Sequence, residues 1–307
     1  MQQPIPAVSV IIPTLNAESC LEGLLESLSR QTVLPDEILV IDSSSSDSTH
    51  AICRKYQVNL RIISRETFDH GNTRTLAAQK AIGDLLVYFT QDALPMDDTA
   101  LEKLLRPLLE HKEIAASYGR QLAHPGASLI SEHLRLFNYP GISEKRCFHD
   151  RHTFGFKTVF ISNSFAAYKR KPLTDAGYFP QRQIFGEDTC ALARMLRDGY
   201  CVQYVHDACV YHSHDYTVAQ DFKRYFDIGV LHTYRKDIFA PFGTPAGTGK
   251  KYVLSEIRFL LRKKAYILAA QSVLRNMAKY IGYIIGKKYE YLPRVVTRAM
   301  SMHSRWW

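Results

Sequence analysis

Within its first hundred residues the chain switches repeatedly between two hydrophobic periods, and this limits its fold more than any other feature. Residues 8–12 (VSVII) form a short apolar run suited to a buried strand, and the next segment carries Leu21, Leu24, Leu25 and Leu28 at helical spacing. The pair recurs: residues 37–41 (EILVI) precede a helical pattern over about 48–56, and residues 60–64 (LRIIS) precede another over about 73–82. A fourth run, residues 84–89 (DLLVYF), closes the series. Strands alternating with helices predict an α/β fold, a mainly parallel central sheet with covering helices.

In open parallel sheets, ligands bind beyond the carboxyl ends of the strands. Here each strand exit is polar. Pro13, Thr14, Asn16 and Glu18 follow the first, and Asp42 with a serine run that includes Ser44 follows the second. FDHGNTR (residues 68–74, with His70 and Arg74) follows the third, and Thr90, Gln91 and Asp92 follow the fourth. Any one loop reads as turn and helix-cap chemistry, as Asp47 and Ser48 do. All of them at one sheet edge predict a single continuous site. The turn after the first strand has no glycine, which excludes a dinucleotide-binding G-x-G-x-x-G loop, and no P-loop is present.

The middle of the chain reads as mixed α and β. Residues 158–168 are strand-like, residues 187–199 form a helix ending at Gly199, residues 201–205 and 208–212 are two short strands, and residues 218–234 are helical. Residues 240–251 (APFGTPAGTGKK) read as a linker. The domain expectation is therefore residues 1–239 (a nucleotide-binding half, about 1–120, and an acceptor half, about 121–239), followed by a basic helical region over 240–307. Charge separates the two: residues 250–307 carry 13 Lys and Arg against 2 acidic residues, a net of +11, while the rest has a net of −2.

The chain's six cysteines form no C-x-x-C pair and several sit in apolar runs, which suits reduced thiols in a cytosolic protein. The opening residues lack the basic n-region of a signal peptide, and no stretch reaches the length of a spanning helix.

Two segments together, VSVIIPTLNAESCLEGLLESLSRQT and DEILVIDSSSSDST, resemble the opening of family 2 glycosyltransferases of the GT-A fold. FDHGNTR, TQDALP, YGRQL, FNYP and SNSFAAY resemble the bacterial L-rhamnosyltransferase branch, and the resemblance covers about residues 8–230. It implies an inverting transfer of L-rhamnose from dTDP-L-rhamnose to a hydroxyl of a lipid-linked glycan in cell-surface polysaccharide synthesis. A UDP-hexose donor, or a non-catalytic nucleotide-sugar-binding protein, is the alternative.

The resemblance assigns Thr14, Asn16, Asp42 and Ser44 to the nucleoside and His70, Arg74 and Gln91 to the donor. A guanidinium fork suits phosphate oxygens, and a carboxylate offers only acceptors. The family's paired aspartates are reduced here to Gln91-Asp92-Ala93. Asp92 is then the ligand for a divalent cation, Mg²⁺ or Mn²⁺, with His212 completing the site. Residues i and i+2 of a strand share a face, so His214 could join, but it reads better as a loop histidine. Asp188 is assigned as general base; composition alone would make Glu187-Asp188 an acidic helix start favoured by the macrodipole.

The tail places Ile267, Ala270, Leu274, Met277, Ile281 and Ile284 on one stripe, with Lys263, Lys264, Arg275 and Lys279 on other faces. This basic amphipathic pattern suits an anionic membrane surface, with Trp306 and Trp307 at the interface, or packing on the core through that stripe. The expected location is cytoplasmic, peripheral on the inner face of the membrane. No nucleic-acid-binding motif accompanies the charge, so nucleic acid is not expected as a partner.

Overall fold

The computed structural model describes residues 6–243 and 248–307. Its first half follows the alternation: β1 (Val8–Thr14), α1 (Leu21–Ser29), β2 (Glu37–Asp42), α2 (Thr49–Lys55), β3 (Asn59–Ile62), α3 (His70–Lys80), β4 (Leu85–Phe89), β5 (Leu94–Pro95) and α4 (Ala100–Glu110). There follow β6 (Ile114–Leu122), α5 (Leu129–Asn138), β7 (Glu144–Cys147), α6 (Arg151–Phe154), β8 (Phe165–Lys169), α7 (Arg170–Asp175), α8 (Glu187–Arg197) and β9 (Cys201–Tyr211). The chain ends in helices: α9 (Val218–Tyr234), α10 (Lys236–Phe239), α11 (Thr248–Arg262), α12 (Tyr266–Gly286) and α13 (Arg294–Met300).

The strands form one sheet in the order β3-β2-β1-β4-β8-β6-β9-β5, with β7 also on β9. β3, β2, β1 and β4 are parallel, as the alternation requires. β8 runs antiparallel between β4 and β6, while β6 and β9 are parallel. Because successive side chains on a strand point to opposite faces, β1 feeds two cores. Val10 and Ile12 pack toward α1 and α4, while Ile11 packs on the face covered by α3 and α8. All three are fully buried, each contributing about 1.5–3 kcal/mol of transfer free energy.

The expected strand over 158–168 shortens to Phe165–Lys169. Residues 155–159 form a 3₁₀ turn, and the Phe165 amide bonds back to the Ser162 carbonyl, so the chain bends at Asn163 before entering the sheet. Conversely, the two short runs after residue 200 are one strand, β9, which crosses a register shift against β6 between Gly119 and Arg120.

The cysteines depart from the expectation of reduced thiols. Antiparallel register sets Cys147 of β7 opposite Cys201 of β9, 4.3 Å apart at Cα, and the two form a disulfide. Their separation of 54 residues gives no local motif. Cys20, Cys53, Cys190 and Cys209 are free.

The C-terminal helices depart from the reading in which the apolar stripe packs on the core. α12 packs along α9 through small and polar residues. A Cβ on Gly282 or Gly286 would stand 2.4 Å from the Phe222 carbonyl oxygen or 2.0 Å from that of Phe226, so the backbones meet where only glycine fits. Lys279 is buried beside Asp221 at 3.9 Å, and Arg275 Nε donates to Asp221 Oδ2 at 2.9 Å. Glu256 of α11, fully buried, accepts from Tyr252, Ser272 and Asn276, each at 2.6 Å, tying α11 to α12. The stripe of Ile267, Ala270, Leu274, Met277, Ile281 and Ile284 therefore faces outward, Ile267 being 77% exposed. Trp306 and Trp307 fold back onto the larger core. The expected linker lies partly outside the described residues; its start, Ala240–Phe242, is a 3₁₀ turn that buries Phe242. Among the described residues, no helix is long and apolar enough to cross a membrane.

Candidate active site

A cleft of about 1220 Å³ opens at the carboxyl ends of β1 and β4 and is walled by α8, β9 and the C-terminal segment. Thr14, His70, Arg74, Gln91, Asp92, Asp188, His212 and His214 all line it. Asn16, Asp42 and Ser44 do not; they shape the loops behind its rim.

Asp42 is wholly buried and its acceptor sites are taken within the chain. Thr14 Oγ1 and the Ser45 amide donate to it at 2.8 Å each, Ser45 Oγ at 2.5 Å, and His50 Nε2 stands 2.7 Å away. Burial alone would raise its pKa, but these bonds outweigh burial and hold the carboxyl below its usual range. Asn16 (φ 48°) and Ser44 (φ 57°) are exposed in the left-handed region. Asn16 Oδ1 accepts from the Ser46 amide at 3.0 Å, and Ser44 Oγ donates to the Ile63 carbonyl at 2.8 Å. Gln91 clamps the β1 exit by accepting from the Leu15 amide at 2.8 Å and donating to its carbonyl at 3.2 Å.

At one end of the cleft Asp92 meets both histidines. His212 Nε2 lies 3.5 Å from Asp92 Oδ1, and His214 Nε2 lies 3.6 Å from Oδ2. Arg135 Nη1 donates to Gln121 Oε1 at 2.9 Å, which marks that oxygen as an acceptor. His212 Nδ1, 2.9 Å from the same oxygen, is then the protonated nitrogen, and its Nε2 lone pair faces Asp92. Burial pushes His212 down to about 3, so its imidazole is neutral near pH 7. A carboxylate and two imidazoles thus converge, their donor atoms within 4.8 Å of one another. Ligands on one small divalent cation stand about 3.0–3.4 Å apart, so a cation would fit with little movement. His214, expected to be a loop histidine, belongs to this cluster. Cys147, His149 and Asp150 are no rival group, because the Cys147 sulfur is in the disulfide.

At the other end Gly186, held at φ 72°, precedes α8. That conformation requires glycine, and a Cβ there, 2.6 Å from Leu231 Cδ2, would also push the Leu231 side chain aside. The turn delivers Glu187 inward and Asp188 to the cleft. Glu187 is buried, 3.3 Å from Arg74 Nε, and accepts from Asn163 Nδ2 at 3.2 Å. Arg74, expected at the donor diphosphate, is thus a buried partner of Glu187, with His70 Nδ1 3.4 Å from its Nη1. Asp188 accepts from the Asn163 amide at 3.1 Å and from the Thr189 amide at 2.7 Å. Burial, and then the neighbouring Glu187 charge, raise Asp188 to about 7, where a carboxylate can take and release a proton near neutrality.

Residues 9–177 match the sequence profile of Glycosyl transferase family 2. This chain belongs to that family. The O-antigen chain rhamnosyltransferase WbaN of Salmonella anatum is 40% identical to this transferase over 99% of the chain and 96% of its own length. RfbN of Salmonella typhimurium, also an O-antigen chain rhamnosyltransferase, is 39% identical over 98% and 96%. Among solved structures, the mannosyltransferase PcManGT from Pyrobaculum calidifontis, in complex with GDP-Man and Mn²⁺, superposes with a TM-score of 0.60 at 19% identity, over 98% of this chain and 86% of its own. TarS 1-349 of S. aureus, in complex with UDP-GlcNAc, gives 0.53 at 18% identity over 92% and 91%. The family 2 transferase therefore has the GT-A fold and is a glycosyltransferase.

Sequence reasoning missed Gln121 and Arg135, which orient His212, and Asn163, which braces both Glu187 and Asp188. YGRQL and SNSFAAY, noticed only as family resemblance, contain Gln121 and Asn163. Arg135 carries no comparable signal.

Proposed function

We propose that this enzyme transfers L-rhamnose from dTDP-L-rhamnose, with inversion, to a hydroxyl of a lipid-linked glycan. The observation that carries the reading is the pairing, in one cleft, of a carboxylate raised to about 7 at Asp188 with the Asp92–His212–His214 cluster. Its support for rhamnose is the near full-length likeness to two O-antigen chain rhamnosyltransferases. The acceptor oxygen attacks the anomeric carbon as its proton passes to an Asp188 oxygen. The bond from that carbon to the diphosphate breaks, and its electron pair leaves with the diphosphate. Glu187 is spent on Arg74 and Asn163, so no second carboxylate is free there as a nucleophile, and a single displacement inverts the centre. Asp92, His212 and His214 would hold Mg²⁺ or Mn²⁺, which supplies positive charge to the leaving diphosphate. Thr14 and Gln91 wall the nucleotide side, with Asn16, Asp42 and Ser44 setting the shape of their loops. Residues 1–239 supply the base and the cation ligands, and α12 within residues 240–307 the membrane contact.

The enzyme works at the inner face of the membrane. The outward stripe of α12, with Ile267, Leu274 and Met277 at 77%, 60% and 56% exposure, is a partner-seeking apolar surface. Lys263 and Lys264 precede it, and Lys287 and Lys288 follow it. An anionic leaflet matches both properties, at about 1 kcal/mol per engaged basic residue.

Release of dTDP from dTDP-L-rhamnose, compared with UDP release from UDP-hexoses and with or without Mn²⁺, tests the donor. Turnover with UDP-hexose alone would replace the rhamnose reading. Co-sedimentation with anionic vesicles should fall when Ile267, Leu274 and Met277 are changed to serine; unchanged binding would remove the stripe from that role.

A further inference from the structure

A carboxylate poised near 7 beside an activated sugar would serve water as readily as an acceptor hydroxyl. The water oxygen would attack the anomeric carbon, its proton would go to Asp188, and the sugar–diphosphate bond would break with nothing gained. A transferase therefore needs a wall on the base side of its cleft. Here part of that wall is the end of the chain. Past α13, the Met302 amide donates to Asp227 Oδ2 of α9 at 2.9 Å, and residues 302–306 run along the cleft. The His303 ring stacks on Phe185 (centroids 5.8 Å, 16°) and meets His70 edge to face (5.3 Å, 84°). Arg305 Nη1 donates to the Arg65 carbonyl at 3.3 Å, and Trp306 Nε1 to the Arg182 carbonyl at 3.2 Å. Trp307 packs on Phe226 and Tyr289, anchoring the segment in the core. The segment thus bridges the loop before α3 and the loop before α8, the two helices whose first turns carry His70 and Asp188.

We propose that residues 302–306 are a strap that closes the base side of the transfer cleft against water, with His303 as its positioning residue between His70 and Phe185. The strap makes productive transfer outrun donor hydrolysis. This rests on the reading of Asp188 as base and of dTDP-L-rhamnose as donor.

The test is hydrolysis of dTDP-L-rhamnose without acceptor by the full chain, alongside calorimetric binding of dTDP. His303→Ala and Trp306→Ala should raise hydrolysis severalfold while dTDP binding stays unchanged, and His303→Phe, which keeps a ring between the loops, should restore the wild-type rate. Wild-type hydrolysis in both alanine variants would overturn the strap. If the wild type releases no dTDP at all, the donor reading fails, and hydrogen exchange decides the strap. His303→Ala should then speed exchange at residues 65–69 and 182–186, and unchanged protection there would overturn it. The same exchange comparison serves if Trp306→Ala melts early.

Discussion

Asp92 and Asp188 both line the cleft, but Asp92 stands among imidazoles, whereas Asp188 is buried beside a second carboxylate. The surroundings drive them apart. Burial would raise both; at Asp92 the charge that His212 and then His214 take up in acid outweighs it and holds the carboxyl down. At Asp188 the Glu187 charge adds to burial and lifts it to about 7. One site keeps a permanent anion for a cation, and the other a group that changes protonation. Paired titratable groups pushed in opposite directions are how acid–base and charge-binding roles divide within one pocket. Backbone geometry makes the split, since Gly186 turns Glu187 inward against Arg74 and leaves Asp188 facing the cleft.

Four substitutions break or sharpen this contrast. Asp188→Asn is expected to cut dTDP release by about 10²–10⁴-fold, the usual worth of a positioned base. Donor affinity by calorimetry should hardly change, and near-normal turnover would remove Asp188 from the role. Asp92→Ala should act in the opposite place, weakening donor binding and abolishing any response to Mn²⁺. If EDTA leaves the wild type unaffected, the cation site is wrong. Gln121→Ala frees His212 from its oriented tautomer and should cost about 10–100-fold in cation affinity, the range seen when a ligand's hydrogen-bond partner is lost. Mn²⁺ titration of the donor complex measures it; an unchanged titration would show that His212 needs no orienting.

The smallest change separates the two carboxylates by pH. Asp188 must be ionised to accept a proton, so turnover should climb as pH rises through about 7. Glu187→Gln removes a neighbouring negative charge, which eases ionisation of Asp188 and should move this acid limb to lower pH. An acid limb that stays in place would mean that burial alone sets it. The same variant strands Arg74 in a buried site, so its melting temperature should fall, a loss of about 3–5 kcal/mol for a broken buried pair.

The sequence by itself determined the alternating half of the sheet, the helix starts and the polar exits of β1, β2, β3 and β4. These are local properties: apolar periodicity selects strand or helix, and a strand exit must spend its polar groups on turns, caps or a ligand. Asp92, Asp188 and His212 could be singled out because they sit in short motifs, and the fold brings them to one cleft. What local pattern cannot carry was decided only by tertiary structure. Arg74 and Glu187 are 113 positions apart and become partners only where α3 meets α8. His214 joins Asp92 because β9 ends beside the β4 exit. Cys147 meets Cys201 through strand register. The clearest case is α12, whose apolar stripe the pattern left open between a membrane surface and the core. Glycines at 229, 282 and 286 let α9 and α12 touch backbone to backbone, and Asp221 and Glu256 supply partners for its buried polar face, so the apolar side turns out. A hydrophobic pattern names which face seeks burial; only the neighbouring element decides which face finds it.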